Sequence, residues 1–369
     1  MAVLMRKLAD SPHIESKICV TAQHRGMLDE VLRIFKIKPD YDLNVMQDGQ
    51  SLEYISRQII DKMSPVIKKE KPDLILVHGD TSTSFLAALC AFYQRVPVGH
   101  VEAGLRSNDL DHPFPEEGNR RLTDALAKFH FAPTDSAKNN LMREAISPKN
   151  IIVTGNTVID SLKWAVAQRH SFRDQNLKKI FNGPEIKKQK VLLLTAHRRE
   201  NFGRPLENVC KALRQVVCSH PEVLIIYPVH PNPNVVSVAK KILKNQARIE
   251  LLAPLDYLDM AHLLKASYLV VTDSGGLQEE APSLGKPVLV LRNVTERPEA
   301  VKAGAAKVIG TDSKKVYNEI ASLLKSKAAY LKMANAVNPY GDGQASSRIL
   351  DSILYFNRIS KVKPRVFIP

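Results

Sequence analysis

The residues with the clearest chemical potential lie in one run, Thr272-Asp273-Ser274-Gly275-Gly276-Leu277-Gln278-Glu279-Glu280-Ala281-Pro282. The apolar, β-branched segment before it, Tyr268–Val271, reads as a buried parallel strand. A Ser-Gly-Gly turn between strand and helix leaves backbone N–H groups pointing outward at the positive end of a helix dipole. With no Cβ in the way, a phosphate can approach closely. One turn on, Glu279 and Glu280 can accept hydrogen bonds from sugar hydroxyls. This chemistry would grip a nucleoside diphosphate at the carboxyl end of a strand. A turn that only redirects the chain would look the same over three residues, so the neighbours must decide.

Four further segments follow strand ends. In His78-Gly79-Asp80-Thr81-Ser82-Thr83, Asp80 stands where a helix begins, and either a functional carboxylate or a helix cap fits it. In His100-Val101-Glu102-Ala103-Gly104-Leu105-Arg106, Glu102 closes an apolar strand, where an unpaired carboxylate is costly; pairing with Arg106 is the structural alternative. Pro113-Phe114-Pro115-Glu116-Glu117-Gly118-Asn119-Arg120-Arg121 puts acids after Pro, which also suits a plain helix start. In Leu194-Thr195-Ala196-His197-Arg198-Arg199-Glu200-Asn201, a His beside two Arg resists protonation and suits proton transfer near phosphate. His230, in Tyr227-Pro228-Val229-His230-Pro231, is another His at a strand end. Three carboxylates in one domain opposite a phosphate grip in another would suit acid–base chemistry on a sugar joined to a nucleoside diphosphate. No Cys/His cluster has zinc spacing, and Asp109-Leu110-Asp111 is too short a signal to carry a metal, so neither metal nor cofactor is expected.

Positioning these groups requires regular strand–helix alternation, and the chain has it. Strand-like runs fall at Lys17–Thr21, Asp73–His78, Pro97–Val101, Phe129–Ala132 and Ile151–Thr154, with amphipathic helices such as Ser51–Lys68 between them. After a polar, Lys-rich segment from Gln168 to Gln189, read as a linker, a second series begins. Its strands are Val191–Thr195, Val223–Tyr227, Ile249–Leu252, Tyr268–Val271, Val288–Leu291 and Lys307–Ile309. The pattern predicts an α/β fold of two doubly wound, Rossmann-like domains facing a cleft. The N-terminal domain covers residues 1–165 and is completed by a C-terminal helix at about 344–360. The second domain covers 185–343, and the basic tail 361–369 should fray.

At 369 residues the chain can bury a core in each of two domains. The net charge of +15 admits nucleic acid, an acidic membrane surface or an anionic small substrate as partners. The basic residues are scattered and not interleaved with aromatics, so no nucleic-acid partner is expected. No apolar run approaches the roughly 20 residues of a membrane span, and no membrane insertion is expected. The four cysteines, Cys19, Cys90, Cys210 and Cys218, form no CxxC pair and fit reduced thiols in a cytoplasmic protein.

Taken together, the segments resemble the non-hydrolysing UDP-N-acetylglucosamine 2-epimerase family, from about Val20 to Leu354. The matching blocks are Thr21-Ala22-Gln23-His24-Arg25, HGDTSTS, VEAGLRS, PFPEEGNRR, TGNTVIDSL, TAHRRENFGRPLENV, YPVHPNPNV, TDSGGLQEEAPSLGKPVLVLR and TERPEAV. The resemblance implies a glycosyltransferase-B-like fold and reversible conversion of UDP-GlcNAc to UDP-ManNAc, through elimination of UDP to 2-acetamidoglucal and re-addition. It implies Asp80, Glu102 and Glu116 as catalytic carboxylates and His197 as their assistant near the diphosphate. Ser274, Gly275 and Gly276 would bind phosphate, Glu280 the ribose hydroxyls and Arg297 the substrate. An activating site next to the first would use Gln23, Glu116, Arg198 and His230, although Gly26 stands where some members carry Gln, and Met260 where some carry an aromatic near the uracil. A homodimer and a role in cell-surface polysaccharide synthesis are further implications. A UDP-sugar glycosyltransferase of the same fold, or a poorly active nucleotide-sugar-binding protein, are the competing readings.

The largest departure from the family lies at the start. Family members open with a strand and a Gly-Thr-Arg-Pro-Glu loop, which with the next helix brings an Arg and a Lys to the active site. Met1-Ala2 aligns just beyond them. The expectation is therefore an N-terminal domain without its first strand, in a chain that is truncated or whose start is misplaced, and that is poorly active.

Overall fold

The structure, a computed structural model, describes residues 1–369 except His24, Asp48 and the side chain of Met27. His24 belongs to the Thr21–Arg25 block and so lies outside the described residues. The chain divides into two compact units. One is Met1–Ser161 with Tyr340–Ile368, and the other is Leu162–Pro339. Twelve strands are present among the described residues. They are β1 (Cys19–Val20), β2 (Tyr41–Asp42), β3 (Ile75–His78), β4 (Val98–Val101), β5 (Phe129–Ala132), β6 (Ile151–Val153), β7 (Lys190–Thr195), β8 (Val223–Pro228), β9 (Ile249–Leu252), β10 (Leu269–Thr272), β11 (Val288–Val290) and β12 (Ala306–Val308). Every pairing is parallel. No helix among the described residues is long and apolar enough to cross a membrane.

The second unit carries a six-stranded sheet in the order β12-β11-β10-β7-β8-β9. Numbered from β7, this is the doubly wound order 3-2-1-4-5-6, with its reversal between β7 and β10. Its inner strands β7, β8, β10 and β11 are mainly apolar because both of their faces are buried. Leu192, Leu194, Ile225, Tyr227, Val271 and Leu289 are all buried in one core.

The first unit has a four-stranded sheet, β3-β4-β5-β6, and a separate two-stranded sheet, β1-β2. The helix Leu52–Glu70 begins where Ser51 Oγ accepts the Tyr54 N–H at 3.2 Å, and it buries Ile55, Ile59, Met63 and Ile67 at i,i+4 spacing. The helix Ala345–Phe356 packs Ile349 and Ile353 against Leu4, Leu8 and Phe131.

Three differences from the sequence reading have physical reasons. β2 is missed because it is two residues long within a polar stretch. The Gln168–Gln189 segment is no open linker. It contains the helix Gln175–Asn182, and the wholly buried Asp259 carboxylate accepts from His170 Nε2 at 2.6 Å, Arg173 N at 3.0 Å and Asp174 N at 2.9 Å. The tail does not fray along its length. Phe367 is buried, donates its N–H to Val153 O at 2.8 Å and lies under the Arg348 guanidinium, 5.4 Å from its ring centroid.

Candidate functional site

In the second unit, the turn at Ser274–Gly276 leaves β10 on one side of the sheet's reversal, and the loop Ala196–Asn201 leaves β7 on the other. Asp273 binds the two together. It is wholly buried, and its Oδ2 accepts from His197 N at 2.9 Å, Arg198 N at 2.8 Å and Asn201 Nδ2 at 3.0 Å. The Arg198 side chain thereby reaches the turn, and a Cβ added at Gly275 would lie 3.8 Å from its Nη2. Arg198 Nε is buried with no hydrogen-bond partner among the described residues. Neither Gly275 nor Gly276 has positive φ, and a Cβ at Gly276 would meet nothing nearer than 3.9 Å. The chain's own packing would thus accept a side chain at both.

His197 stacks on His230, with ring centroids 5.4 Å apart at 21°. Burial first, then the charges of His230 and Arg198, push His197 below the ordinary histidine range, against the pull of Asp273, so the ring is neutral near pH 7. Burial dominates here, whereas the sequence pointed to the arginines. Glu279 is buried and paired with Arg297 Nε. Next to it, burial and then the Glu279 charge push Glu280 up to about 8. Arg297 is also fixed through its backbone N–H, which donates to Thr295 Oγ1 at 3.0 Å.

In the first unit, His78 pairs with Val101 in register, so the chains leaving β3 and β4 start side by side. Gly79 has φ 67°, and a Cβ there would fall 3.3 Å from Glu102 Oε1. This close approach sets the Gly79 backbone, from which Asp80 leaves the strand, against the Glu102 carboxylate. Thr81, not Asp80, caps the helix Ser82–Tyr93 by accepting from Ser84 N, which leaves the Asp80 carboxylate to Arg120. Glu102 does not pair with Arg106. Its Oε2 accepts from Asn156 Nδ2 at 3.0 Å, and His78 Nε2 lies 4.0 Å away. Arg106 instead joins Asp124 and Glu144.

Glu116 opens the helix Glu116–Leu126, whose Asn119 Nδ2 donates to Asp80 O at 3.0 Å. Its neighbour Glu117 is wholly buried and takes the Ser107 N–H at 2.9 Å and Arg121 Nε at 3.0 Å. Gln23 Oε1 accepts from Thr83 Oγ1 at 3.1 Å. Gln23 and Glu116 belong to the first unit, and Arg198 and His230 to the second. Among the described residues no group of three or more His, Cys, Asp or Glu side chains could hold a metal ion.

Asp273, Asn156, His100 and Asp124 have no role in the sequence reading. Each is buried and polar and has a hydrogen-bond partner 24 to 76 residues away, so no local spacing marks that pairing.

A parallel sheet of this order, with a glycine turn at its reversal, defines the second unit as a doubly wound, Rossmann-like domain. The family model for UDP-N-acetylglucosamine 2-epimerase matches residues 6–354, and the chain belongs to this family of epimerases. It is 51% identical over 361 residues to the UDP-N-acetylglucosamine 2-epimerase of Escherichia coli K12, covering 98% of this chain and 96% of the relative. To the Bacillus subtilis 168 enzyme of the same name it is 47% identical over 369 residues, covering 100% of this chain and 94% of the relative. Among solved structures, it is similar to the Neisseria meningitidis UDP-GlcNAc 2-epimerase bound to UDP-GlcNAc. That match has TM-score 0.85 and 46% identity over 96% of this chain and 95% of the other.

Proposed function

We propose that the protein interconverts UDP-GlcNAc and UDP-ManNAc, supplying cell-surface polysaccharide synthesis, and that it does so without metal or cofactor. The observation that carries this reading is the Arg198 guanidinium beside Gly275, with its Nε unpartnered among the described residues, at a turn whose glycines the chain itself does not require. A diphosphate would satisfy that donor and use the space.

In the first half-reaction the C1–O bond to UDP breaks and the C2 proton leaves, giving 2-acetamidoglucal. In the second, UDP re-adds at C1 and a proton enters C2 from the opposite face. The C2 proton is weakly acidic, so C–O cleavage leads and positive charge builds at C1. Asp80, Glu102 and Glu116 serve as the proton-transferring and cation-stabilising carboxylates. Neutral His197 assists at the diphosphate. Ser274, Gly275 and Gly276 hold phosphate, while Glu280 and Arg297 hold the ribose and the substrate. Gln23, Arg198 and His230, with Glu116, are the candidates for activation by substrate.

The protein works in the cytoplasm as a homodimer in this reading. Phe92, Tyr93 and Leu122, exposed on two helices of the first unit packed against each other, supply apolar surface for a second copy.

The test is incubation with UDP-GlcNAc in deuterated water without any acceptor. Deuterium at C2 of both epimers is expected. UDP release without C2 exchange would instead support a transferase or hydrolase, and tight UDP binding with neither would support a sensor.

A further inference from the structure

His100 lies on β4, two residues before Glu102, and is 0% exposed. Its Nδ1 is 2.6 Å from Asp124 Oδ1, and its Nε2 is 2.9 Å from the carbonyl oxygen of Gly79. A carbonyl oxygen only accepts, and so does an ionised carboxylate. Asp124 is ionised, because its Oδ2 takes Arg106 Nη2 at 2.7 Å and Gly104 N at 3.2 Å. Burial opposes that charge, yet His100 and Arg106 hold the carboxyl down at about 2. Both ring nitrogens of His100 must therefore donate, and a ring with two N–H groups is an imidazolium.

The charges close locally. Arg106, with its side chain 1% exposed, also meets Glu144 at 2.6 Å, so two cations and two anions form one quartet. Burial opposes the charge on His100, but Asp124, the Gly79 carbonyl and Glu102 outweigh it and raise the ring above the ordinary histidine range. The other titratable groups nearby are His130, which gives Nε2 to Asp124 O, and His78 and Asp80 on the loop after β3. Burial pushes both His130 and His78 down, so neither adds a competing positive charge near pH 7.

The consequence lies at Gly79. Its N–H donates to Val101 O at 3.0 Å, and its carbonyl is held by His100. The two peptide planes flanking Gly79 are thus both fixed, and with them the direction in which Asp80 leaves the strand. We propose that His100 is a positioning residue for the reaction: a permanent imidazolium, anchored by Asp124, that fixes the Gly79–Asp80 peptide and so the place of Asp80 beside Glu102. The effect on rate rests on the epimerase reading, whereas the charge of the ring does not.

Long-range proton–nitrogen spectra of the full chain test the charge directly. Both His100 nitrogens are expected to stay protonated, with unchanged shifts, from about pH 6 to about pH 9. A ring that turns neutral within that range overturns the proposal. H100Q keeps a donor for Gly79 but no charge, and kcat should fall about 10- to 100-fold with KM for UDP-GlcNAc changed less than about threefold. D124N leaves the ring without its carboxylate. Its kcat should gain a falling limb between about pH 6 and about pH 8 that the native chain lacks, as the imidazolium loses its proton. Native kcat in H100Q, or a D124N pH profile parallel to the native one, overturns the proposal. Should either variant fail to fold, the native spectrum still decides. A native chain without epimerase activity would defeat the functional reading and leave the spectral test intact.

Discussion

Asp273 holds three N–H donors with one buried oxygen, so removing its carboxylate leaves all three without their acceptor. D273A should cost about 3 kcal/mol and release the loop that carries His197 and Arg198. UDP affinity measured by calorimetry should drop at least about tenfold, and unchanged affinity would show that the bracket does not position Arg198. Glu280 makes a pH prediction. Burial and the neighbouring Glu279 charge raise its folded value to about 8, far above the ordinary carboxylate range. Between that range and the raised value the folded state keeps a proton that the unfolded chain has released. Stability therefore falls as pH rises through that window. E280Q lacks this slope, so the Tm advantage of E280Q over the native chain should widen by about 3 °C or more from about pH 5 to about pH 8. A gap independent of pH would mean that Glu280 is solvated and unshifted. At this scale the sequence shows which residues end strands, as with Asp80, Glu102 and His197. It does not show which of them share a buried partner. Glu102 accepts from Asn156, 54 residues on, while the nearby Arg106 turns away to Asp124.

Elements were legible wherever burial is two-sided. β7, β8 and β10 are continuous apolar runs bounded by turns, and each lies within a residue or two of its expected span. The Gln168–Gln189 segment was not legible, because its order comes from Asp259 on another helix and not from its own polar composition. D259A would leave His170 and two backbone N–H groups without their acceptor. A loss of about 2–4 kcal/mol and faster limited proteolysis between residues 168 and 189 are expected. Cleavage at the native rate would mean that the segment holds itself in place. The tail depends in the same way on one anchor. F367A should cost about 3 kcal/mol, read as a lower denaturation midpoint.

For the whole molecule, alternation of strand and helix is enough to specify parallel sheets, since parallel neighbours require crossovers. Strand order is another matter. The 3-2-1-4-5-6 order of the second unit is set by which way each crossover runs, and residue periodicity carries no trace of it. The same holds for the division of the first unit's strands into two sheets. The net charge of +15 has a consequence at this scale. A UDP-sugar is an anion, and a basic surface speeds its capture at low ionic strength. Between about 20 and about 300 mM salt, kcat/KM for UDP-GlcNAc should fall several-fold with a smaller change in kcat, as screening lengths shrink below the spacing of surface charges. A flat response would place the excess charge away from the route of the substrate.

Glu102 has φ 71°, a left-handed backbone that a glutamate adopts at a cost of about 1 kcal/mol or more. Glycine and asparagine adopt it more readily. Evolution at position 102 therefore answers to two judges. A library of variants at this position sorted only for survival of heat should drift to Gly and Asn. The same library sorted for epimerised product should return to Glu, the residue the backbone favours least.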